Sequence, residues 1–174
     1  MTMAPTVSSL KKLWNTMKNK FIVAYMKVAK TFAEMSYAKR AKVGAIIVKD
    51  DRIISIGYNG MPSGWDNECE LQILPSWAGS INDIPEEDHG TYVTYVSKPE
   101  VLHAEANAIA KVAQSSESCK GAILFTTHMP CIECAKLIHQ SGIRKVYYAE
   151  EYDANKGSGK HFLNKCETDL EQVL

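Results

Sequence analysis

Apolar residues recur along this chain with two different periods, one typical of helices and the other of strands. In residues 20–35 they return every three or four positions, which predicts an amphipathic helix. Residues 43–48 and 52–58 are short apolar runs rich in β-branched side chains, with polar residues 49–51 between them. This pattern predicts two strands joined by a turn.

The second half of the chain continues the alternation of helices and strands. We expect helices over residues 103–114 and 132–141, the latter ended by Gly142, and one more helix in the tail from Ser158. Residues 122–127 and 145–149 are apolar and are expected to be strands. The order of elements predicts an α/β domain with helices on both faces of a sheet.

Two segments depart from this pattern. Residues 60–98 contain several Gly and Pro residues and an acidic run, so we expect a long inserted loop with little regular structure. A loop of this length inside a compact domain is usually functional. Residues 1–19 form an N-terminal extension, of which residues 1–8 are expected to be frayed. The 174 residues as a whole, 1–174, favour a single domain.

Composition indicates the compartment and the kinds of partner to expect, but it does not identify the reaction. Lys+Arg and Asp+Glu number 20 each, so the net charge gives no reason to expect nucleic acid or a membrane surface as a partner. The first 20 residues contain lysines but no continuous apolar stretch, and no run is long enough to span a bilayer. Two of the five cysteines form a C-x-x-C pair, which favours metal binding in a reducing compartment. We therefore expect a soluble cytoplasmic protein.

The candidate chemistry lies in two short motifs, His103-Ala104-Glu105 and Pro130-Cys131-Ile132-Glu133-Cys134. An H-x-E motif followed by P-C-x-x-C is the zinc deaminase signature, in which the metal activates a water and the Glu carries its proton. Cys131 and Cys134 are three positions apart, so a helix places both sulfurs on one face. We therefore predict His103, Cys131 and Cys134 as zinc ligands and Glu105 as the general acid/base.

The same three ligands could instead hold a structural zinc. Structural sites normally use four protein ligands, and Cys119 is close enough in sequence to be the fourth. That interpretation leaves Glu105 without a role. A second zinc in residues 60–98 is not expected, because only Cys69 and His89 offer soft ligands there.

Beyond these motifs, the chain resembles the deoxycytidylate (dCMP) deaminases of the cytidine deaminase superfamily. The resemblance runs from about residue 21 to residue 152 and implies a three-layer α-β-α sandwich with a five-stranded mixed sheet. It rests on Val43-Gly44-Ala45, Gly57-Tyr58-Asn59-Gly60-Met61-Pro62-Ser63-Gly64, His103-Ala104-Glu105-Ala106-Asn107-Ala108-Ile109 and Pro130-Cys131-Ile132-Glu133-Cys134-Ala135-Lys136. The activity it implies is hydrolysis of dCMP to dUMP and ammonia, which supplies dUMP for dTTP synthesis.

The resemblance also implies how the nucleotide is bound. Arg40 would take the 5′-phosphate with its planar guanidinium, although a solvated basic turn is the alternative. Asn59 would hydrogen-bond the deoxyribose or phosphate edge, unless it serves only the Asn-Gly turn. The backbone around Ala104 and Thr127 would contact the pyrimidine edge, and Tyr152 would close over the nucleotide or simply pack on the surface.

Regulation is implied by the resemblance as well. Members are commonly homohexamers activated by dCTP and inhibited by dTTP, with Mg²⁺ on the effector triphosphate. The corresponding effector residues here are Gly57, Tyr58, Gly60, Met61, Gly64 and Lys111. The family often has an arginine late in the helix after H-A-E, where this chain has Gln114.

Other functions stay open at this point. A roomy phosphate pocket would admit dCTP and make the enzyme a bifunctional dCMP/dCTP deaminase. A polynucleotide cytidine deaminase would need a basic groove with aromatic stacking platforms, which the zero net charge does not favour. A zinc module without catalysis would have no use for Glu105.

Overall fold

The computed structural model describes residues 17–152 and 159–173. The expectation of a frayed segment at residues 1–8, and all of the N-terminal extension except residues 17–19, lie outside these residues. Residue 158, where we expected the tail helix to begin, also lies outside them. No helix in the described part of the chain is long and apolar enough to cross a bilayer.

The elements follow the predicted order closely. In chain order they are α1 (Asn19–Ala33), β1 (Gly44–Lys49), β2 (Arg52–Tyr58), β3 (Glu70–Ile73), α2 (His89–Tyr92), β4 (Thr94–Ser97), α3 (Ala104–Ala113), β5 (Ile123–His128), α4 (Ile132–Gln140), β6 (Lys145–Glu150), α5 (Gly159–Lys165) and β7 (Asp169–Gln172). Two short 3₁₀ helices, Ile81–Asp83 and Glu86–Asp88, precede α2.

Five strands form the central sheet, in the order β2-β1-β5-β6-β7. Strand β1 is antiparallel to both β2 and β5, whereas β5, β6 and β7 are parallel. This confirms the expected five-stranded mixed sheet.

Helices cover both faces of the sheet, as predicted. Successive residues of β1 point to opposite faces: Ile46 and Val48 join a buried cluster with α1, while Ala45 and Ile47 join one with α3 and α4. Both faces of β1 are therefore buried, which explains why its sequence is a continuous apolar run rather than an alternating one.

The structure differs from the sequence prediction in residues 60–98. Instead of a loop with little regular structure, this insertion contains a separate two-stranded antiparallel sheet, β3–β4, in which Glu70 pairs with Ser97 and Ile73 pairs with Thr94. Each strand has only four residues and lies in a Gly- and Pro-rich segment, so the sequence pattern does not predict it. The insertion thus contains regular structure of its own, separate from the main sheet.

Candidate active site

The three predicted metal ligands come together at the start of two helices. His103 directly precedes α3, Cys131 directly precedes α4, and Cys134 lies in the first turn of α4. His103 Nδ1 is 3.5 Å from the Cys131 sulfur and 3.4 Å from the Cys134 sulfur. Since helix N-termini favour negative charge, this convergence favours the thiolate forms that bind metal.

These distances fit a tetrahedral zinc ion. With Zn–S near 2.3 Å and Zn–N near 2.0–2.1 Å, tetrahedral angles place nitrogen and sulfur about 3.6 Å apart. The three ligand atoms all lie within 4.8 Å of one another. Within residues 17–152 and 159–173, no other group of three His, Cys, Asp or Glu residues meets that spacing. Cys119, the candidate fourth ligand, is buried elsewhere, so the described residues supply three donors rather than four.

The two cysteine thiols differ in acidity. A hydrogen bond from Cys134 lowers the pKa of the Cys131 thiol to about 3, and a further hydrogen bond from His103 contributes. The pKa of Cys134 is raised because its thiol donates that bond and because it is buried. The surroundings of Cys131 thus favour its thiolate, which is the form that binds a metal cation.

Glu105 lies in the first turn of α3 and is only 4% exposed. Burial raises the pKa of its carboxyl group, although nearby His103 and hydrogen bonds partly oppose this. The hydroxyl of Thr126 lies 3.5 Å from Oε1 as a potential donor. A carboxyl group with a raised pKa beside the three predicted metal ligands is suited to accept and return a proton.

A cavity of about 340 Å³ joins this cluster to several predicted substrate residues. The cavity is lined by His103, Glu105 and Cys131 and also by Arg40, Asn59, Ala104 and Tyr152. Its volume is in the range of small-molecule sites. The structure thus places the guanidinium of Arg40, the carboxyl group of Glu105 and the predicted metal ligands around one cavity.

Thr127 is not among the residues that line the cavity, although we predicted backbone contacts to substrate there. Its hydroxyl is buried and accepts a hydrogen bond from the Gly44 backbone N–H, at 3.1 Å, which fixes the start of β1. The neighbouring His128 does line the cavity. The Nε2 atom of His128 lies 3.4 Å from Oε2 of Glu150, and its ring makes an edge-on contact with the Tyr152 ring. Its position just before Met129-Pro130-Cys131 already indicates from the sequence that it lies close to the site.

Asn59 has a structural role that the motif did not reveal. Its Oδ1 accepts the Val43 backbone N–H at 2.8 Å, and its Nδ2 donates to the Ala41 carbonyl at 2.9 Å. The side chain therefore fixes residues 41–43, next to Arg40. Its contact with the nucleotide stays a prediction.

Two glycines bring backbone segments against the sequence neighbours of the predicted ligands. A Cβ added at Gly57 would lie 2.1 Å from the Ala104 carbonyl oxygen, and one added at Gly159 would lie 2.3 Å from the Pro130 carbonyl oxygen. Both are below any real Cβ contact, so each position requires glycine for close packing.

The predicted effector residues occupy different surroundings. Gly60 forms an isolated β-bridge with Leu102. The Lys111 ammonium donates to the Ile56 carbonyl at 3.1 Å and lies over the Tyr58 ring. Met61 and Gly64 line a second cavity of about 770 Å³, and Lys111 is not among its lining residues. Effector binding at these residues stays a prediction.

The layered fold and the His-Cys-Cys cluster beside a buried glutamate define a hydrolytic deaminase. Residues 19–150 match the family model described as the cytidine and deoxycytidylate deaminase zinc-binding region. The chain therefore belongs to the cytidine and deoxycytidylate deaminase family.

Individual relatives agree with this assignment. The chain is 39% identical to a deoxycytidylate deaminase of Enterobacteria phage T4 over 136 residues, which is 66% of this chain and 70% of the relative. It is 34% identical to the deoxycytidylate deaminase of Homo sapiens, over 80% of this chain and 71% of the relative. A crystal structure of dCMP deaminase from the cyanophage S-TIM5, in complex with dCMP and dUMP, matches with a TM-score of 0.74 and 41% identity. That match covers 90% of this chain and 99% of the cyanophage chain.

Proposed function

We propose that this chain hydrolyses dCMP to dUMP and ammonia and so supplies dUMP for dTTP synthesis. The observation that carries the proposal is the single cavity bordered by His103, Cys131, Glu105 and Arg40. The similarity to a dCMP deaminase solved with dCMP and dUMP supports this choice of substrate.

His103, Cys131 and Cys134 would hold Zn²⁺, and their distances match its tetrahedral geometry. When bound, zinc supplies a water of lowered pKa, near 7, at neutral pH. Glu105 takes one proton from the attacking water and delivers it to the ring N3, then takes the second proton from the hydroxyl group formed on C4 and delivers it to the leaving amine. Oxygen joins C4, the C4–N4 bond breaks, and ammonia leaves.

Arg40 binds the 5′-phosphate in this proposal, because a planar guanidinium pairs with phosphate oxygens through two parallel hydrogen bonds. Asn59 and Tyr152 line the same cavity and contact the sugar and the nucleotide. The backbone at Ala104 and Thr127 contacts the pyrimidine edge.

The proposal includes regulation by dCTP as activator and dTTP as inhibitor, with Mg²⁺ on the effector, and assembly as a homohexamer. The large apolar residues exposed in the insertion support a subunit interface. They are Trp65, Leu71, Ile73, Trp77, Tyr92 and Val96, each 44–59% exposed. All five cysteines are free, which supports the cytoplasm as its compartment.

The experiment is a substrate panel followed by ultraviolet absorbance and ammonia release. It uses dCMP, dCTP, deoxycytidine and a cytosine-bearing oligonucleotide, each with and without dCTP or dTTP as effector. We expect dCMP to be deaminated with the highest kcat/KM. If the oligonucleotide is the only substrate that is deaminated, the proposal is overturned. If kcat/KM is higher for dCTP than for dCMP, a dCTP deaminase activity replaces it.

A further inference from the structure

The inserted sheet β3–β4 makes polar contacts with the segment that carries Arg40. Glu70, the first residue of β3, accepts two backbone N–H groups through one oxygen, from Lys39 at 3.0 Å and from Arg40 at 3.2 Å. Ser97, the last residue of β4, accepts a hydrogen bond from Arg40 Nη1 at 3.2 Å. The insertion therefore holds both the backbone and the guanidinium of Arg40.

These contacts come from one rung of the inserted sheet. Glu70 and Ser97 are direct partners in the β3–β4 register. A third contact lies nearby, where the Lys39 ammonium stands over the ring of Tyr95, 5.4 Å from its centroid. A single pairing register thus fixes several groups around one arginine.

The burial of Glu70 shows that its carboxylate is committed to this task. It is 9% exposed, whereas the other three residues of β3 are exposed. A buried carboxylate is costly unless hydrogen bonds satisfy it, and here two successive backbone N–H groups do so. The same bonds fix the backbone from which the Arg40 side chain extends.

We infer that the inserted sheet is the support of the phosphate subsite, with Glu70 and Ser97 acting as positioning residues for Arg40. The inference rests on the proposed function, in which Arg40 binds the 5′-phosphate. Arg40 and Ser97 both line the cavity, whereas Glu70 is not among its lining residues and acts through Arg40. The ligand class concerned is a nucleoside 5′-monophosphate.

The test is a double-mutant cycle on the full chain with dCMP as substrate. Glu70→Ala should raise KM about tenfold with kcat within about twofold, since the two hydrogen bonds that fix the backbone of Lys39 and Arg40 are lost. Glu70→Gln keeps an oxygen acceptor and should restore KM to near the wild-type value. Gln72→Ala, an exposed change in the same strand, is the matched control and should leave both constants unchanged.

The decisive comparison uses Arg40→Ala as the background. There, adding Glu70→Ala or Ser97→Ala should raise KM no further, because their target is gone. If either change raises KM by the same factor with and without Arg40, or lowers kcat instead, the inference is wrong. If Glu70→Ala does not fold, the Ser97 cycle with Ser97→Thr as the hydroxyl-retaining control decides the matter.

The two failures are distinguishable. Lack of ammonia release from dCMP by both the wild type and Gln72→Ala would overturn the proposed function, and the inference with it. Active wild-type enzyme with additive Glu70 and Arg40 effects would overturn only the inference.

Discussion

Gly57 in β2 lies directly against the backbone of Ala104, the first residue of α3, with no room for a side chain between them. Ala104 stands between His103 and Glu105, so this contact sets where the predicted metal ligand and the candidate proton carrier meet the sheet. The resemblance implies an effector role for Gly57, which stays a prediction, and the structure adds a packing role against α3.

The first prediction concerns this contact. Gly57→Ala should lower the free energy of unfolding by about 3 kcal/mol, because the added methyl group forces β2 and α3 apart. Bound zinc per chain should fall as well, measured by elemental analysis beside urea denaturation. Gly90→Ala, where an added Cβ meets nothing within 4 Å, is the control and should be neutral. A fully stable, fully metallated Gly57→Ala would contradict the packing role.

Glu105→Gln should retain zinc but lose about 10²–10⁴-fold or more in kcat, because the amide cannot carry a proton. Stability should stay the same or rise, since the substitution removes a buried carboxyl group with a raised pKa. Steady-state ammonia release, metal content and thermal unfolding on one preparation check these points together. Turnover near the wild-type rate would show that another group carries the proton.

Removal of a ligand should cost both metal and stability. Cys131→Ala should lose tight zinc binding and unfold at a lower denaturant concentration, since metal binding contributes to folding free energy. Cys119→Ala is the matched control, because that thiol is also buried but lies outside the cluster. It should keep a full metal complement. Undiminished ammonia release in strong chelator would contradict a catalytic zinc.

Lys145 links β6 to the edge strand β7 and gives a prediction on stability and pH. Its side chain is 6% exposed, and its ammonium lies 2.7 Å from Glu171 and 3.3 Å from Asp169. Burial alone would lower the pKa of Lys145, but the hydrogen bond to Glu171 and the other neighbours raise it overall. Glu171→Gln should therefore lower the free energy of unfolding by about 1–2 kcal/mol at neutral pH.

The pH profile distinguishes this ion pair from a packing effect. A raised folded-state pKa for a lysine means that its contribution is complete below the unfolded pKa, about 10.4, and is lost as pH rises through the folded value. The stability difference between wild type and Glu171→Gln should shrink over that range. Asp169→Asn, at the longer distance, should show a smaller effect. A difference that persists unchanged at high pH would contradict the ion-pair explanation.

The ligand cluster could be predicted from sequence because its spacing is local. Cys131 and Cys134 are three residues apart, and a helix was already predicted from residue 132; α4 begins at Ile132. The bounds of β2 also match the prediction, residues 52–58. Such elements carry their own pattern in a few neighbouring residues.

Strand β7 and the contacts of Glu70 depend instead on partners far away in the chain. Strand β7, residues Asp169–Gln172, was not predicted, because its exposed, acidic sequence has no apolar alternation and it pairs only with β6. Likewise, Glu70 gives no local sign that it accepts two backbone N–H groups some 30 residues upstream. Neither the edge strand nor this support of Arg40 has a local signal.

Gly159, at the start of α5, packs against the backbone of Pro130, which precedes the predicted ligand Cys131. Gly57 packs in the same way against Ala104, which follows His103. The positions of the predicted ligands are therefore constrained from two directions by residues that supply no ligand atom. A survey of natural variation limited to ligating side chains would underestimate how many positions this chemistry restricts.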